Sequence, residues 1–157
     1  MLLEEDEVQT EDPVEAMPSF NHSYLCSQIL RHLFQNPAIF PMPELTLDIG
    51  NGLTPDISVY PSQQVHPNFF RDIPKARQMP LLVIEIVSAN QNVQDLLEKA
   101  ADLVTAGVKT VWTVEPFSRS IFVTTAAGDT VFHNATLESD GIVLDFAAIF
   151  QSSPVTP

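Results

Sequence analysis

Residues 80–99 read PLLVIEIVSANQNVQDLLEK, and the apolar run 81–87 carries a single carboxylate, Glu85, at its centre. The run is too short and too rich in branched residues for a helix, so it reads as a strand buried on both faces. A carboxylate inside such a strand is costly unless it is paired or binds a cation. The chain must therefore supply Glu85 with a partner, and this requirement narrows both fold and function.

The surrounding pattern is mixed. A Pro-Ser start and the spacing of Leu25, Ile29 and Leu33 predict a helix over about 20–35, ended by Pro37. ELTLDI (44–49) and LTPDISVY (53–60) alternate like half-buried strands, and the Gly50-Asn51-Gly52 link between them predicts a hairpin. Residues 61–80 hold four prolines and read as a loop. After the buried strand, capping residues at 88–92 open a helix over about 92–106, with Gly107 as its stop. KTVWTVE (109–115) and RSIFVTT (119–125) follow as strands, with a short strand at 129–133 and a short helix in DFAAIF (145–150). Trp112 reads as core. The order of elements predicts an α/β fold, a mixed sheet flanked by helices.

Charge and composition bound the function. The chain has 157 residues, 45% hydrophobic and 17% charged, enough for one domain with a real core. The expected organisation is an acidic segment over 1–17 and a single domain over 18–157. No apolar stretch approaches the roughly 18–20 residues of a membrane span, and the acidic start lacks the order of a signal peptide. The single cysteine, Cys26, excludes an internal disulfide, and a reduced, cytoplasmic setting is expected. The net charge is −13. Residues 1–16 carry seven of the 20 acids and no base, leaving 13 acids against 7 bases. That balance opposes tight nonspecific binding to nucleic acid through phosphate contacts. Arg71, Lys75 and Arg77 form the one local basic cluster; it fits phosphate contact, and an ordinary solvated loop slightly better.

Two residues give Glu85 its company. Asp56 follows Pro55 in the second strand, and Lys99, one of three lysines, lies on the helix after Glu85. Two carboxylates on adjacent strands form a hard oxygen site suited to Mg²⁺ or Mn²⁺. A lysine beside them can orient an attacking water or balance transition-state charge. Read singly, the same residues fit plainer roles: Asp56 at a turn, Glu85 in a structural ion pair, Lys99 paired with Asp95 one helical turn away.

The ordered set TPDISVY (54–60), PLLVIEIVS (80–88) and DLLEKAADLVTAGVKTVWTVEP (95–116) resembles the Uma-two family of restriction-endonuclease-like proteins, of the PD-(D/E)XK nuclease superfamily. The second acid is followed by an apolar residue and Ser, and the lysine is displaced onto the next helix. The resemblance, over about 20–125, implies a restriction-endonuclease-like core and a metal-dependent endonuclease acting on nucleic acid, DNA above all. It implies Asp56 and Glu85 as ligands of Mg²⁺ or Mn²⁺, the Ile86 carbonyl as a third ligand, and Lys99 as the catalytic lysine. His22 matches a histidine at the start of the family's first helix and is a further candidate for the same pocket. The resemblance also implies a homodimer, with DFAAIF as an apolar pairing element. Where a helix position of the family often holds Tyr, this chain has Leu103, and its acidic N-terminal segment replaces a strand pair. The competing reading, favoured by the negative charge, is an interaction module that keeps the nuclease scaffold without cleaving nucleic acid.

Overall fold

The buried strand sits at the centre of its sheet. In a computed structural model, which describes residues 17–151, β3 (Leu82–Ile86) is buried at every position. It is flanked by β2 (Ile57–Pro61) and β4 (Thr110–Glu115) in a six-stranded sheet of order β1-β2-β3-β4-β5-β6. The outer strands are β1 (Ile39–Pro43) and the hairpin of β5 (Ser120–Thr125) and β6 (Gly128–His133). Only β3 and β4 run parallel. Helix α2 (Val93–Thr105) makes the crossover between them, as a parallel pair requires. Asn92 caps that helix through its side chain, which accepts from the Gln94 N–H.

Helices cover both faces. On one, α1 (Phe20–Leu33) lays Leu25, Ile29 and Leu33 against Ile57, Val59, Ile84, Ile86, Trp112 and Val114. Fully burying side chains of this size stabilises a fold by about 1.5–3 kcal/mol each. A second layer closes this core: β7 (Thr136–Ser139), β8 (Ile142–Asp145) and α3 (Phe146–Phe150). Phe146 meets Trp112 edge to face at 5.9 Å between ring centroids. On the other face, Ala100 and Leu103 of α2 pack on Val83, Val111 and Leu47.

Two expectations need correction. The expected hairpin of 44–49 with 53–60 is reduced to one antiparallel bridge, Leu47↔Leu53, with backbone hydrogen bonds in both directions. The strand that pairs with β2 is β1, in the register Pro41↔Val59 and Pro43↔Ile57. Glu44 then turns into the left-handed region (φ 51°), as does Gly50 (φ 56°), and the strand ends. Residues 45–53 fold instead as an ordered loop over the α2 face, where Leu45, Leu47, Ile49 and Leu53 join the core. Their apolar alternation is real, but beyond the Leu47–Leu53 bridge it serves packing rather than a ladder.

The prolines of β1 disguised it. The Glu44 N–H donates to the Asp56 carbonyl, and the Ala38 carbonyl accepts from the Ser62 N–H. Even-numbered residues of β1 therefore turn their backbone groups to β2, and Pro41 and Pro43 turn theirs to the open side. A proline there removes no ladder bond. The second correction concerns DFAAIF. Asp145 caps α3 as its sequence suggests, but Phe146 and Ile149 are buried in this chain's own core. That helix does not offer the pairing surface expected of it. The expected acidic segment lies, apart from Met17, outside the described residues. Among the described residues no helix is long and apolar enough to cross a membrane.

Candidate active site

The loop 45–55 delivers Asp56 to the start of β2, and Glu85 lies near the end of β3. Odd and even positions alternate between sheet faces. Ile57, Val59, Ile84 and Ile86 face α1, so Glu85 faces α2. There it finds its partner: Lys99 Nζ lies 2.5 Å from Glu85 Oε2. Helical spacing puts Lys99 one turn before Leu103, on the flank of the buried stripe. Lys99 pairs with Glu85 and not with Asp95.

The other Glu85 oxygen is equally engaged. Oε1 accepts from the Asp56 backbone N–H at 2.9 Å, and Asp56 Oδ2 accepts from the Ile86 N–H at 2.8 Å. Each carboxylate thus accepts a backbone N–H from the other's strand segment, Glu85 from Asp56 and Asp56 from Ile86, which fixes both rotamers. Asp56 Oδ2 also lies 3.0 Å from His22 Nε2, and His22 Nδ1 faces Cys26 Sγ one turn on at 3.9 Å. All five residues drawn from the sequence, His22, Asp56, Glu85, Ile86 and Lys99, therefore meet in one network. For Ile86 the contact seen is made by the N–H. N–H and C=O of an extended residue point the same way, so the Ile86 carbonyl also faces the β2 side. By continuation of the β2–β3 register, Pro55 stands opposite it, and a proline has no N–H to offer.

Electrostatics bear the marks of confinement. Glu85 is only 3% exposed. Burial pushes its carboxyl up to about 7; Lys99 pulls against that shift and the nearby Asp56 charge adds to it. The Asp56 carboxylate raises His22 to about 10, with Cys26 contributing and burial opposing, so His22 is a cation at neutral pH. The Asp56 charge is thus answered by His22, and the Glu85 carboxyl by Lys99. Among the described residues, Glu85 Oε2 meets Lys99 as an ion pair without an aligned hydrogen bond. The buried hydroxyls of Ser58 and Thr113, on the same α2 face, have no hydrogen-bond partner among the described residues. Neither hydroxyl was singled out from the sequence; a polar residue amid apolar strand positions, as at Glu85, was the available signal.

The donor set can be tested against a divalent cation. No group of three or more His, Cys, Asp or Glu is disposed to hold a metal among the described residues. What is present is two carboxylates and a backbone carbonyl, all hard oxygens, which suit Mg²⁺ or Mn²⁺ when water completes the shell. Asp56 Oδ1 has no partner among the described residues, and the buried Glu85 Oε2 has only Lys99. These residues fit such an ion.

The mixed six-stranded sheet with helices on both faces is the architecture of a nuclease-like fold. The family model described as "Uma2: Putative restriction endonuclease" matches residues 7–148, and the chain belongs to that family. Among solved structures, the chain resembles a "putative nuclease belonging to DUF820" from Anabaena variabilis, with a TM-score of 0.75 and 20% identity. That match covers 87% of this chain and 83% of the other. A weaker likeness, TM-score 0.41 at 11% identity, is to a DrdV–DNA complex, covering 83% of this chain and 14% of that one. No curated protein matches the chain.

Proposed function

We propose that the protein is a divalent-metal-dependent endonuclease that hydrolyses phosphodiester bonds of nucleic acid. The observation that carries this reading is the convergence of Asp56, Glu85 and Lys99 in one network, from three separate elements. Asp56 Oδ1, Glu85 Oε2 and the Ile86 carbonyl would hold Mg²⁺ or Mn²⁺. Such an ion supplies Lewis acidity at the phosphoryl oxygen and a lowered pKa for bound water.

The chain's own groups supply the rest. The backbone N–H groups of Asp56 and Ile86 hold both carboxylates in position before substrate arrives, which reduces reorganisation during reaction. Lys99, held by Glu85, places a positive charge where a phosphate would gain negative charge. His22 orients Asp56 through Oδ2 and leaves Oδ1 free, so its role is positioning. In the overall reaction a water oxygen bonds to phosphorus, the P–O ester bond breaks, and the leaving oxygen takes up a proton.

The test is cleavage of plasmid and single-stranded DNA in Mn²⁺ and in Mg²⁺ at low salt, with Glu85→Ala and Lys99→Ala alongside. Activity that vanishes in both variants supports the reading. The net charge of −13 favours a second one, an interaction module on a nuclease scaffold. A folded protein with no activity and no metal-induced rise in melting temperature would establish that alternative.

A further inference from the structure

The most conspicuous exposed surface lies in the loop between β2 and β3. Phe69 is 94% exposed and Phe70 90% exposed, and Ile73 is also exposed. Beside them Arg71, Lys75 and Arg77 face solvent, and none has an ion-pair partner among the described residues. In an acidic chain this concentration stands out. Residues 62–80 hold three of the 7 bases and one of the 20 acids, Asp72. Lys99 and Lys109, by contrast, are engaged with Glu85 and Asp140.

The loop holds this surface in a defined shape. The Asn68 side chain accepts from the Phe70 N–H at 3.0 Å, and its carbonyl accepts from the Arg71 N–H at 3.1 Å. The Asp72 side chain accepts from the Ile73 N–H. At the root, the Tyr60 hydroxyl donates to the Gln78 carbonyl at 2.7 Å, and Gln78 and Gln64 meet through their amides. The loop is also tied to the segment that feeds the candidate site. The Ala76 N–H donates to the Thr46 carbonyl, and the Asp48 N–H to the Ala76 carbonyl. Lys75 lies over Gly52, where an added methyl would meet its Cε at 3.6 Å. Gly52 stands four residues before Asp56.

We infer that the Phe69–Arg77 loop is a binding surface for single-stranded nucleic acid. The two phenyl rings provide faces on which unpaired bases stack, and the three cations contact the phosphates. Unstacked bases match exposed aromatic rings without regard to sequence, and a cationic cluster on an otherwise acidic protein complements a polyanion. A paired duplex keeps its base faces covered, so duplex DNA is the weaker ligand. This inference rests on the proposed phosphodiesterase reading of the site, because the loop packs on the segment leading to Asp56.

The experiment is fluorescence anisotropy of the full chain with labelled dT20, rU20 and a 20-base-pair duplex, in EDTA so that no cleavage occurs. Single strands bind more tightly than the duplex, and the order of dT20 and rU20 identifies the preferred sugar. Replacing Phe69 and Phe70 together by Ala weakens single-strand binding by about 10- to 100-fold. The double change Arg71→Ala, Arg77→Ala lowers the slope of log affinity against log salt by about 1.4. Phe117→Ala, a ring just as exposed in the β4–β5 turn, leaves binding unchanged. Glu85→Ala binds like the parent even though it does not cleave, so a failed site and a failed loop give different results. Affinity unchanged in the Phe69/Phe70 variant, equal loss in Phe117→Ala, or binding to anionic lipid vesicles in place of oligonucleotides would overturn the inference.

Discussion

The Asp56–Glu85–Lys99–His22 network and the Phe69–Arg77 loop hold charge in opposite ways. In the network every charge has a named partner at 2.5–3.0 Å, and the most buried group is fixed through both oxygens. In the loop the cations face water and the rings are almost fully exposed, while the backbone beneath them is tied down. Pairing in low dielectric gives fixed geometry, which chemistry at phosphorus needs. Unpaired side chains on a fixed backbone retain the adaptability that a sequence-tolerant ligand demands. The contrast therefore divides the chain into a part that would react and a part that would hold.

The largest effect should separate the two outright. Glu85→Ala is expected to lower cleavage in saturating substrate by about 10³-fold or more. The Phe69/Phe70 variant should instead raise KM and leave kcat within about twofold. Steady-state kinetics on a single-stranded substrate measure both, and a kcat loss in the loop variant would break the division. Next comes Lys99→Met, expected to lower the rate by about 10²-fold. Its stability loss, read by urea unfolding, should be about 2 kcal/mol. That is below the ~3–5 kcal/mol of a broken buried pair, because a carboxyl already pushed up to about 7 can take a proton.

Smaller effects test the root of the loop. Tyr60→Phe removes a buried hydrogen bond and should cost about 1 kcal/mol, with faster proteolysis between residues 66 and 77. Burial raises the Tyr60 phenol from 10.0 to about 12. Its folded value lies above its unfolded one, so its contribution is fully present below pH 10 and fades between pH 10 and 12. The stability difference between parent and Tyr60→Phe should shrink across that window. The smallest effect is that of Phe117→Ala, within about 0.5 kcal/mol in stability, because this ring covers nothing.

How far this division was legible in the sequence depended on distance along the chain. Glu85 announced itself because a charge in a branched apolar run violates a local rule, and the demand for a partner led to Asp56 and Lys99. Helical periodicity exposed the core faces of α1 and α2 for the same reason. The 44–60 hairpin survives only as the Leu47–Leu53 bridge, because alternation in 45–53 mainly records burial against Leu103 and Val108, which a local reading cannot tell from strand pairing. β1 was hidden by Pro41 and Pro43, whose tolerance depends on which side of the strand faces β2. The β7–β8 layer escaped because its segments are short and bounded by turns, and it becomes definite only by packing on α1. The bonds that fix Asp56 and Glu85 run between residues 29 and 30 apart in sequence. No local pattern encodes such a clasp.

The prolines of β1 have a further consequence, for assembly. Pro41 and Pro43 leave that margin of the sheet without donors at two successive outward positions, so another strand cannot build a regular ladder on it. The opposite margin, β6, has no such block and presents Val131 and Phe132 to solvent. Growth of the sheet by strand addition is thus one-sided. A second copy joining through β6 in antiparallel register would leave only proline-blocked margins outside, and the product would end at two chains and could not extend into a fibre.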